Sequence, residues 1–574
     1  MTTTANDNQR RSLAPAGGIA AALDWACGSH ARAIAALIAF SFIAFLPGFF
    51  QLPPVDRDEA RFAQATKQML ETGEYVDIRF QDEVRYKKPV GIYWLQAAAV
   101  KSGEALGLPE ARTTIWLYRV PSLLGAVGGV LVTYWAALAF VSRRAAVLAA
   151  VMMAGSILLG VEARLAKTDA MLLLTAVAAM GAMARIYLAR RRTPDRKGDW
   201  RMPALLWTAI AGGVLLKGPL ILMFVALTAL TLSIADRSVR WIRDLRPVTG
   251  LLWMFALVLP WFVAIAMKSG DSFFMKAVGE DMLAKVASGQ EAHGAPPGLY
   301  FVLFFVTFWP GSVLAGMAVP MVWKARREPG AQFLLAWLLP SWLVFEAVMT
   351  KLPHYVLPLY PAIAILIAGI MEQGALAKIR WMIRGTFGWF VFPGVIAIGV
   401  VAVFIVFARD LGLVAWPFAA AAAIFGLFAW WLYEVDGAQR SLLRAAMASV
   451  FMAVTVYAVT FPMLPNLFPS ALIAREVQAA GCKEPHVAST FAYQEPSLVF
   501  LLGTNTRFTD GGGAAEFLRA GACHFALIDP RSERGFVQRA NAIGLRYSLV
   551  QRVEGYNISI GKPVALAIFR SAEP

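Results

Sequence analysis

Cysteine is scarce, with three in 574 residues, and this excludes a disulfide-dense secreted scaffold. Charge is scarce too. Asp, Glu, Lys and Arg make up 16% of the chain, against about 25% in a typical soluble domain. No run resembles a Walker phosphate loop or a dinucleotide fingerprint, which argues against an ATP-driven pump. No internal repeat or low-complexity tract stands out. Carboxylates are outnumbered, 37 against 53 Lys and Arg, for a net charge of +16. What fills the chain is apolar: 58% of residues are Ala, Val, Ile, Leu, Met, Phe, Trp, Tyr or Cys. That excludes intrinsic disorder. It is also too much for a soluble enzyme, although the length alone suggests about four domains. The composition describes a multi-spanning membrane protein with some extramembrane mass.

A span needs roughly 20 apolar residues to cross about 30 Å of hydrocarbon. Thirteen stretches qualify, near 31–50, 118–140, 145–161, 169–188, 203–216, 219–235, 247–267, 298–322, 331–349, 355–372, 386–408, 414–433 and 445–463. The fifth and sixth are short and separated only by Lys217-Gly218-Pro219. The connecting loops alternate in charge. One set is basic, with Arg143 and Arg144, the Arg190–Arg192 run, Arg237 to Arg246, Lys324 to Arg327, Lys378 to Arg384, and Arg440 with Arg444. Basic loops between spans mark the cytoplasmic side, so the excess charge needs no nucleic-acid partner. Residues 1–30 are then a cytoplasmic tail, 31–465 the membrane domain, and 51–117 and 268–297 long outer loops. An odd number of spans puts 466–574 outside. Leu46-Pro47-Gly48-Phe49-Phe50 offers no small-x-small cleavage site, so the first stretch reads as an uncleaved anchor.

From Asn466 the pattern changes. Residues 470–480, 494–502 and 532–543 read as helices, and 486–491, 523–529, 545–552 and 564–569 as strands, which predicts a small α/β domain. Cys482 and Cys523 each precede a predicted strand. A disulfide and two unpaired buried thiols both fit.

The first outer loop concentrates ionisable groups. Asp56-Arg57-Asp58-Glu59-Ala60-Arg61 leads into an amphipathic helix with Phe62, Ala65, Met69 and Leu70 on one face. Asp56 reads best as its N-cap, and Asp58 with Glu59 as functional carboxylates. Tyr86-Lys87-Lys88-Pro89 follows, then the aromatic run Tyr93-Trp94. These lysines could snorkel to lipid headgroups or grip a phosphate at the membrane surface. Glu162-Ala163-Arg164-Leu165-Ala166-Lys167-Thr168-Asp169 closes the second outer loop, and an ionisable group at such depth is a functional candidate by default. Lys217 and the run Lys351-Leu352-Pro353-His354-Tyr355-Val356-Leu357-Pro358 lie at the same membrane face. In the long outer loop, Lys285 and His293 are the residues to test. No ligand spacing there matches a known metal site, so no metal ligands are assigned and a divalent cation stays open.

These motifs, in this order, resemble the bacterial C-type membrane glycosyltransferases, the family of the lipid A aminoarabinose transferases and protein O-mannosyltransferases. The matching residues are Asp58-Glu59-Ala60-Arg61, Tyr86-x-Lys88-Pro89, Tyr93-Trp94-Leu95, Thr168-Asp169, Lys217-Gly218-Pro219 and the Lys351–Pro358 run. The resemblance implies about thirteen transmembrane helices with a C-terminal outer domain. It implies transfer of a sugar from a polyprenyl-phosphate carrier, by one direct displacement, to a periplasmic-face acceptor such as lipid A or lipopolysaccharide core. By the same resemblance Asp58 is the catalytic carboxylate, supported by Glu59 and Asp169. Arg61, Lys88, Lys217, Lys351 and Tyr355 become candidates for the donor phosphate, with Lys285 standing in for an arginine of the long outer loop. Tyr86, Lys87, His293 and His354 are further candidates. One departure concerns the sugar. Aminoarabinose transferases usually carry an acidic residue immediately before the lysine of the Lys-Pro motif, where this chain has Lys87. A cation there favours an acidic or neutral sugar over an amino sugar. Two other readings share these features. A protein O-glycosyltransferase would use the same donor on another acceptor. A lipid-linked sugar transporter would be expected to show internal repeats and ionisable groups near the bilayer midplane.

Overall fold

A computed structural model describes residues 18–192, 199–270, 273, 275 and 294–572. All thirteen apolar stretches are helical over most of their length. Among the described residues, eight helices are long and apolar enough to cross a membrane, or nine if one bent pair counts as a single span. The chain is thus a multi-pass membrane protein. The remaining stretches form shorter helices, such as His30–Phe45, Arg143–Gly155, Arg201–Lys217 and Leu220–Asp236.

Two expected spans are broken rather than straight. The stretch 298–322 forms Leu299–Thr307 and Ser312–Lys324, bent by 119°. Pro310 lies in the break and has no amide hydrogen to continue the ladder. The stretch 145–161 breaks at Ser156, which is extended (φ −68°, ψ 134°). The two breaks meet. Ile157 N donates to Trp309 O at 3.3 Å, so an amide freed by one interruption bonds a carbonyl freed by the other. Apolar length predicts both spans but does not register where each is interrupted.

The first outer loop is structured throughout. It holds a helix, Asp58–Thr72; a short hairpin, β1 (Arg79–Phe80) and β2 (Glu83–Val84); and a second helix, Gly91–Ala105. Gly91 sits against Leu215, where a Cβ would fall 2.7 Å from the Leu215 carbonyl oxygen. The second loop helix can therefore dock on the helix that ends at Lys217.

The C-terminal region carries a five-stranded sheet in the order β4-β3-β5-β7-β6. Its strands are β3 (His486–Thr490), β4 (Arg507–Thr509), β5 (His524–Ile528), β6 (Tyr547–Asn557) and β7 (Lys562–Ser571). β3 pairs in parallel with β4 and β5, and β7 is antiparallel to β5 and β6. Four strands and three helices match the sequence reading. Strand β4 and the helix Gly511–Leu518 do not, because β4 has three residues and the helix opens with three glycines after Asp510. Asp510 caps that helix by accepting from Gly513 N at 2.7 Å. Cys482 and Cys523 form a disulfide, with a Cα–Cα distance of 5.8 Å.

This domain grips the first outer loop. Lys67 donates to Phe500 O at 2.8 Å, and Gln64 to Thr504 Oγ1 at 2.8 Å. Gln81, at the hairpin tip, donates to Thr504 O at 3.0 Å and Thr506 O at 2.6 Å. Phe500 also packs edge-on to Tyr118 at 5.2 Å.

Candidate functional site

Asp58 opens the loop helix Asp58–Thr72. The residue before it, Arg57, has φ 66°, a backbone conformation L-residues rarely hold, so the chain turns sharply as it enters the helix. Asp58 is exposed, and its carboxylate makes no hydrogen bond or ion pair with a described residue. Its charge is close enough to act on the Lys167 ammonium and on Tyr93.

Glu59 has the opposite environment. Its Oε1 accepts from Arg119 Nε and Ala166 N, both at 2.8 Å. Its Oε2 accepts from Arg119 Nη2 at 2.9 Å and Val55 N at 2.8 Å. Arg119 is 0% exposed and also donates to the carbonyls of Phe49, Leu52 and Pro53. With four donors on its carboxylate, Glu59 is placed to pin both outer loops to the helix Ile115–Ala137. Asp56 is not the cap of its own helix. It accepts from Ser497 N at 3.0 Å, at the start of the C-terminal-domain helix Pro496–Leu502. Burial and the neighbouring Glu495 push its carboxyl up to about 7.

Within electrostatic reach of Asp58 lies a buried cluster that the sequence scatters over nearly two hundred residues. Glu162, Lys167, Asp169, Lys217 and His354 converge there. Lys167 Nζ lies 3.2 Å from Glu162 and 3.9 Å from Asp169, and Lys217 also bonds Asp169. His354 is 3.6 Å from Glu162 and 3.8 Å from Asp169. Lys88 is close enough for its charge to act on His354, and Lys217 lies 5.1 Å over the Tyr355 ring. Two carboxylates and two ammoniums balance. Buried charges survive in pairs of this kind, and Asp58 is close enough to this balanced set for its charge to act on Lys167.

Glu162, Asp169 and His354 present ligand atoms within 4.8 Å of one another, the one such group among the described residues. They have the donor types for a divalent cation, but Lys167 and Lys217 already neutralise the carboxylates. A cation there would have to displace an ammonium.

Other candidates take different places. Lys351 donates to Phe345 O, Glu346 O and Val348 O at 3.3, 2.8 and 2.6 Å. It closes the end of the helix Pro329–Ala347, and all three of its protons are engaged. Tyr86 is buried and donates to Asp77 at 2.8 Å, which with burial raises its hydroxyl to about 12. Arg61 and Lys87 line a cleft of about 1810 Å³ between the first outer loop and the C-terminal domain. Lys285 and His293 lie outside the described residues. Arg119 was not singled out in the sequence, where it reads as one more charge near a span end. Glu162 and Lys167 stand in a motif run without assigned roles.

Residues 35–271 match the family model of the dolichyl-phosphate-mannose-protein mannosyltransferases. Among relatives, the undecaprenyl phosphate-alpha-4-amino-4-deoxy-L-arabinose arabinosyl transferase of Edwardsiella ictaluri is 27% identical over 342 residues, 59% of each chain. The same-named protein of Pectobacterium atrosepticum is 26% identical over 373 residues, 64% of each chain. This chain thus matches about three fifths of the length of these relatives. The crystal structure of ArnT from Cupriavidus metallidurans in the apo state superposes with a TM-score of 0.72 at 18% identity, covering 94% of this chain and 98% of that one. The same protein bound to undecaprenyl phosphate gives 0.70 at 19% identity. From the first span to the C-terminal sheet, the chain has the fold of ArnT, the C-type membrane glycosyltransferase fold that its outer-loop motifs resemble.

Proposed function

We propose that this chain is a bacterial inner-membrane glycosyltransferase that moves a sugar from a polyprenyl-phosphate carrier to an acceptor at the periplasmic face. Lipid A or lipopolysaccharide core is the leading acceptor. The observation that carries the reading is Asp58, unpaired among the described residues, within electrostatic reach of Lys167 in the cluster of Lys167, Lys217 and Asp169. The matched mannosyltransferase model and the arabinosyl transferase relatives support the reaction class. The relative solved with undecaprenyl phosphate supports the donor. In this scheme the N-terminus is cytoplasmic and the C-terminal domain periplasmic.

The chemistry follows from the residues. Asp58 takes a proton from, or orients, the attacking acceptor oxygen. That oxygen forms its bond to the anomeric carbon as the bond to the lipid phosphate breaks, which inverts the configuration. The phosphate leaves as an anion, and Lys88, with Lys217 shared between it and Asp169, holds its charge. Arg61 and Tyr355, the latter under the Lys217 ammonium, are further candidates for that phosphate. Glu59 acts on Asp58 as a positioning residue, through Arg119. The scheme uses no metal, and Glu162, Asp169 and His354 are where a divalent cation would bind if one takes part.

The test is mass spectrometry of lipid A and core oligosaccharide from the source cell, with and without the gene and with Asp58→Ala. A sugar-sized mass lost in both mutants supports the scheme and identifies the sugar and its acceptor. A mass lost only in the deletion removes Asp58 from its role. No change in either moves the acceptor to glycoproteins or other envelope glycans.

A further inference from the structure

The hairpin that joins β6 to β7 carries apolar residues where a hairpin loop ordinarily carries polar ones. Its loop is Ile558-Ser559-Ile560-Gly561. Turn positions favour Gly, Asn, Asp, Ser and Pro, for their backbone freedom or their local hydrogen bonds. Here the turn is made without help from the isoleucine side chains. Asn557 Oδ1 accepts from Ser559 N at 2.9 Å and from Ile560 N at 3.4 Å, and the Asn557 carbonyl accepts from Gly561 N at 2.9 Å. The Asn557 side chain is buried and donates from Nδ2 to Glu495. The loop is thus fixed from within, while Ile558 is 51% and Ile560 44% exposed. Lys562 follows, also exposed. A single exposed isoleucine is ordinary on a protein surface. Two on one rigid four-residue loop call for a cover.

The place of the hairpin says what covers it. Tyr556, just before Asn557, packs edge-on to Phe407 with ring centroids 5.3 Å apart. Phe407 is next to last in the helix Gly388–Ala408, which belongs to one of the membrane-crossing helices. Gly555 backs onto Asn466, where a Cβ would fall 2.7 Å from the carbonyl oxygen, six residues after the last span ends at Thr460. The hairpin is therefore seated at the ends of two spans, on one face of the membrane. Ile558 lies two residues beyond Tyr556, at most about 7 Å of chain. The headgroup layer on each side of the hydrocarbon is about 5–8 Å deep. The lipid-facing surface continues up to this contact. Ile405 and Val406, just before Phe407, are exposed, and so are Leu413 and Val414 across the turn to the next span. An apolar surface that runs from the spans to the hairpin, with a cation beside it, fits phospholipid: acyl chains for the isoleucines, a phosphate for Lys562.

We propose that the tip of the β6–β7 hairpin dips into the headgroup layer of the membrane that the spans cross, with Ile558 and Ile560 at the acyl boundary and Lys562 on lipid phosphate. The C-terminal domain then has a lipid anchor besides its protein contacts. The inference rests on the multi-pass fold and not on the transferase reading, and it stands if that reading fails. Asn557 bonds Glu495, two residues before the Ser497 amide that Asp56 accepts from, so the anchored hairpin also steadies the attachment of the domain to the loop helix.

The experiment places a nitroxide spin label on Ile558→Cys, Ile560→Cys or Val537→Cys, each with Cys27→Ser, which removes the free thiol and leaves the Cys482–Cys523 disulfide. Val537 is an exposed reference on the same domain, and its neighbour Phe536 packs on Tyr547 at the far end of β6. The full-length protein is held in nanodiscs of phosphatidylethanolamine and phosphatidylglycerol. Molecular oxygen concentrates among acyl chains and a water-soluble nickel chelate stays outside, so the ratio of their collision rates with the label reports depth. A ratio severalfold higher at 558 and 560 than at 537 is expected. A raised ratio at one tip position alone still supports insertion, by that residue. Both tip residues are exposed, so their replacement spares the core, and each serves if the other labels poorly. A ratio at both tip positions no higher than at 537 overturns the proposal. Shielding of the tip from both reagents, which a second protein covering it would give, overturns it as well.

Discussion

Glu59 and Asp58 are adjacent in sequence and opposite in environment, and exchanging each in turn separates chemistry from architecture. Glu59→Ala removes an acceptor of four hydrogen bonds at 2.8–2.9 Å and leaves the Arg119 guanidinium buried without its counter-charge. Breaking a buried ion pair from one side costs about 3–5 kcal/mol. The three carbonyls that Arg119 also meets are partial compensation, so the lower end of that range is expected. Glu59→Gln keeps the shape but turns an amide NH2 toward a donor, for roughly 1–3 kcal/mol. Asp58→Asn is exposed and touches no described partner, and its effect on stability is expected within about 0.5 kcal/mol. The assay is thermal unfolding in micelles by tryptophan fluorescence, with transfer activity measured on the same preparations. The expected order of midpoints is Asp58→Asn equal to wild type, Glu59→Gln lower, Glu59→Ala lowest, while Asp58→Asn alone abolishes transfer at full stability. If Glu59→Ala unfolds like wild type and is nonetheless inactive, Glu59 takes part in the reaction and the positioning argument is wrong.

Two further outcomes follow from the same geometry. The Asp56 carboxyl, raised from 3.8 to about 7, favours the folded state while protonated, so the penalty for ionising it builds as pH rises from 3.8 to about 7 and is constant above. Asp56→Asn removes that penalty while its amide oxygen still accepts from Ser497 N, and should stabilise the protein by roughly 2–4 kcal/mol at pH 8 and by little at pH 4. Melting curves at the two values check it, and an equal shift at both would refute it. Lys351→Met should lower stability by about 1–3 kcal/mol with the KM for the lipid donor unchanged. A raised KM at wild-type stability would return Lys351 to the donor site.

Much of the bundle is readable because a span announces itself by length and apolarity, and these are local properties. The interruptions at Ser156 and Pro310 are not, since each is satisfied by the other across about 150 residues. Strand β4 and the helix after it hide for another reason: three residues carry too little alternation, and Gly511-Gly512-Gly513 reads as a turn. Within the site, the motifs mark the right neighbourhood and blur the roles. Asp58 and Glu59 look equivalent as letters, and only the position of Arg119, 60 residues on, tells them apart. Lys351 could have been recognised, because its partners are the carbonyls three to six residues before it, an ordinary way to finish a helix. Asp56 could not, since the helix it caps begins 440 residues later.

The contacts between the C-terminal domain and the loop helix bear on how such proteins diverge. Lys67, Gln64 and Gln81 address main-chain and hydroxyl oxygens of the Phe500–Thr506 stretch, and Asp56 addresses the start of the helix just before it. The domain is thus fastened to the element that presents Asp58 by hydrogen bonds, while its contacts with the bundle are ring contacts such as Phe500 on Tyr118 and Tyr556 on Phe407. Exchanging this domain for a relative's would leave those donors facing a foreign surface. A working hybrid is expected only when the crossover carries residues 51–117 along with the C-terminal part, so the two segments should be inherited as a unit although the whole bundle separates them in sequence.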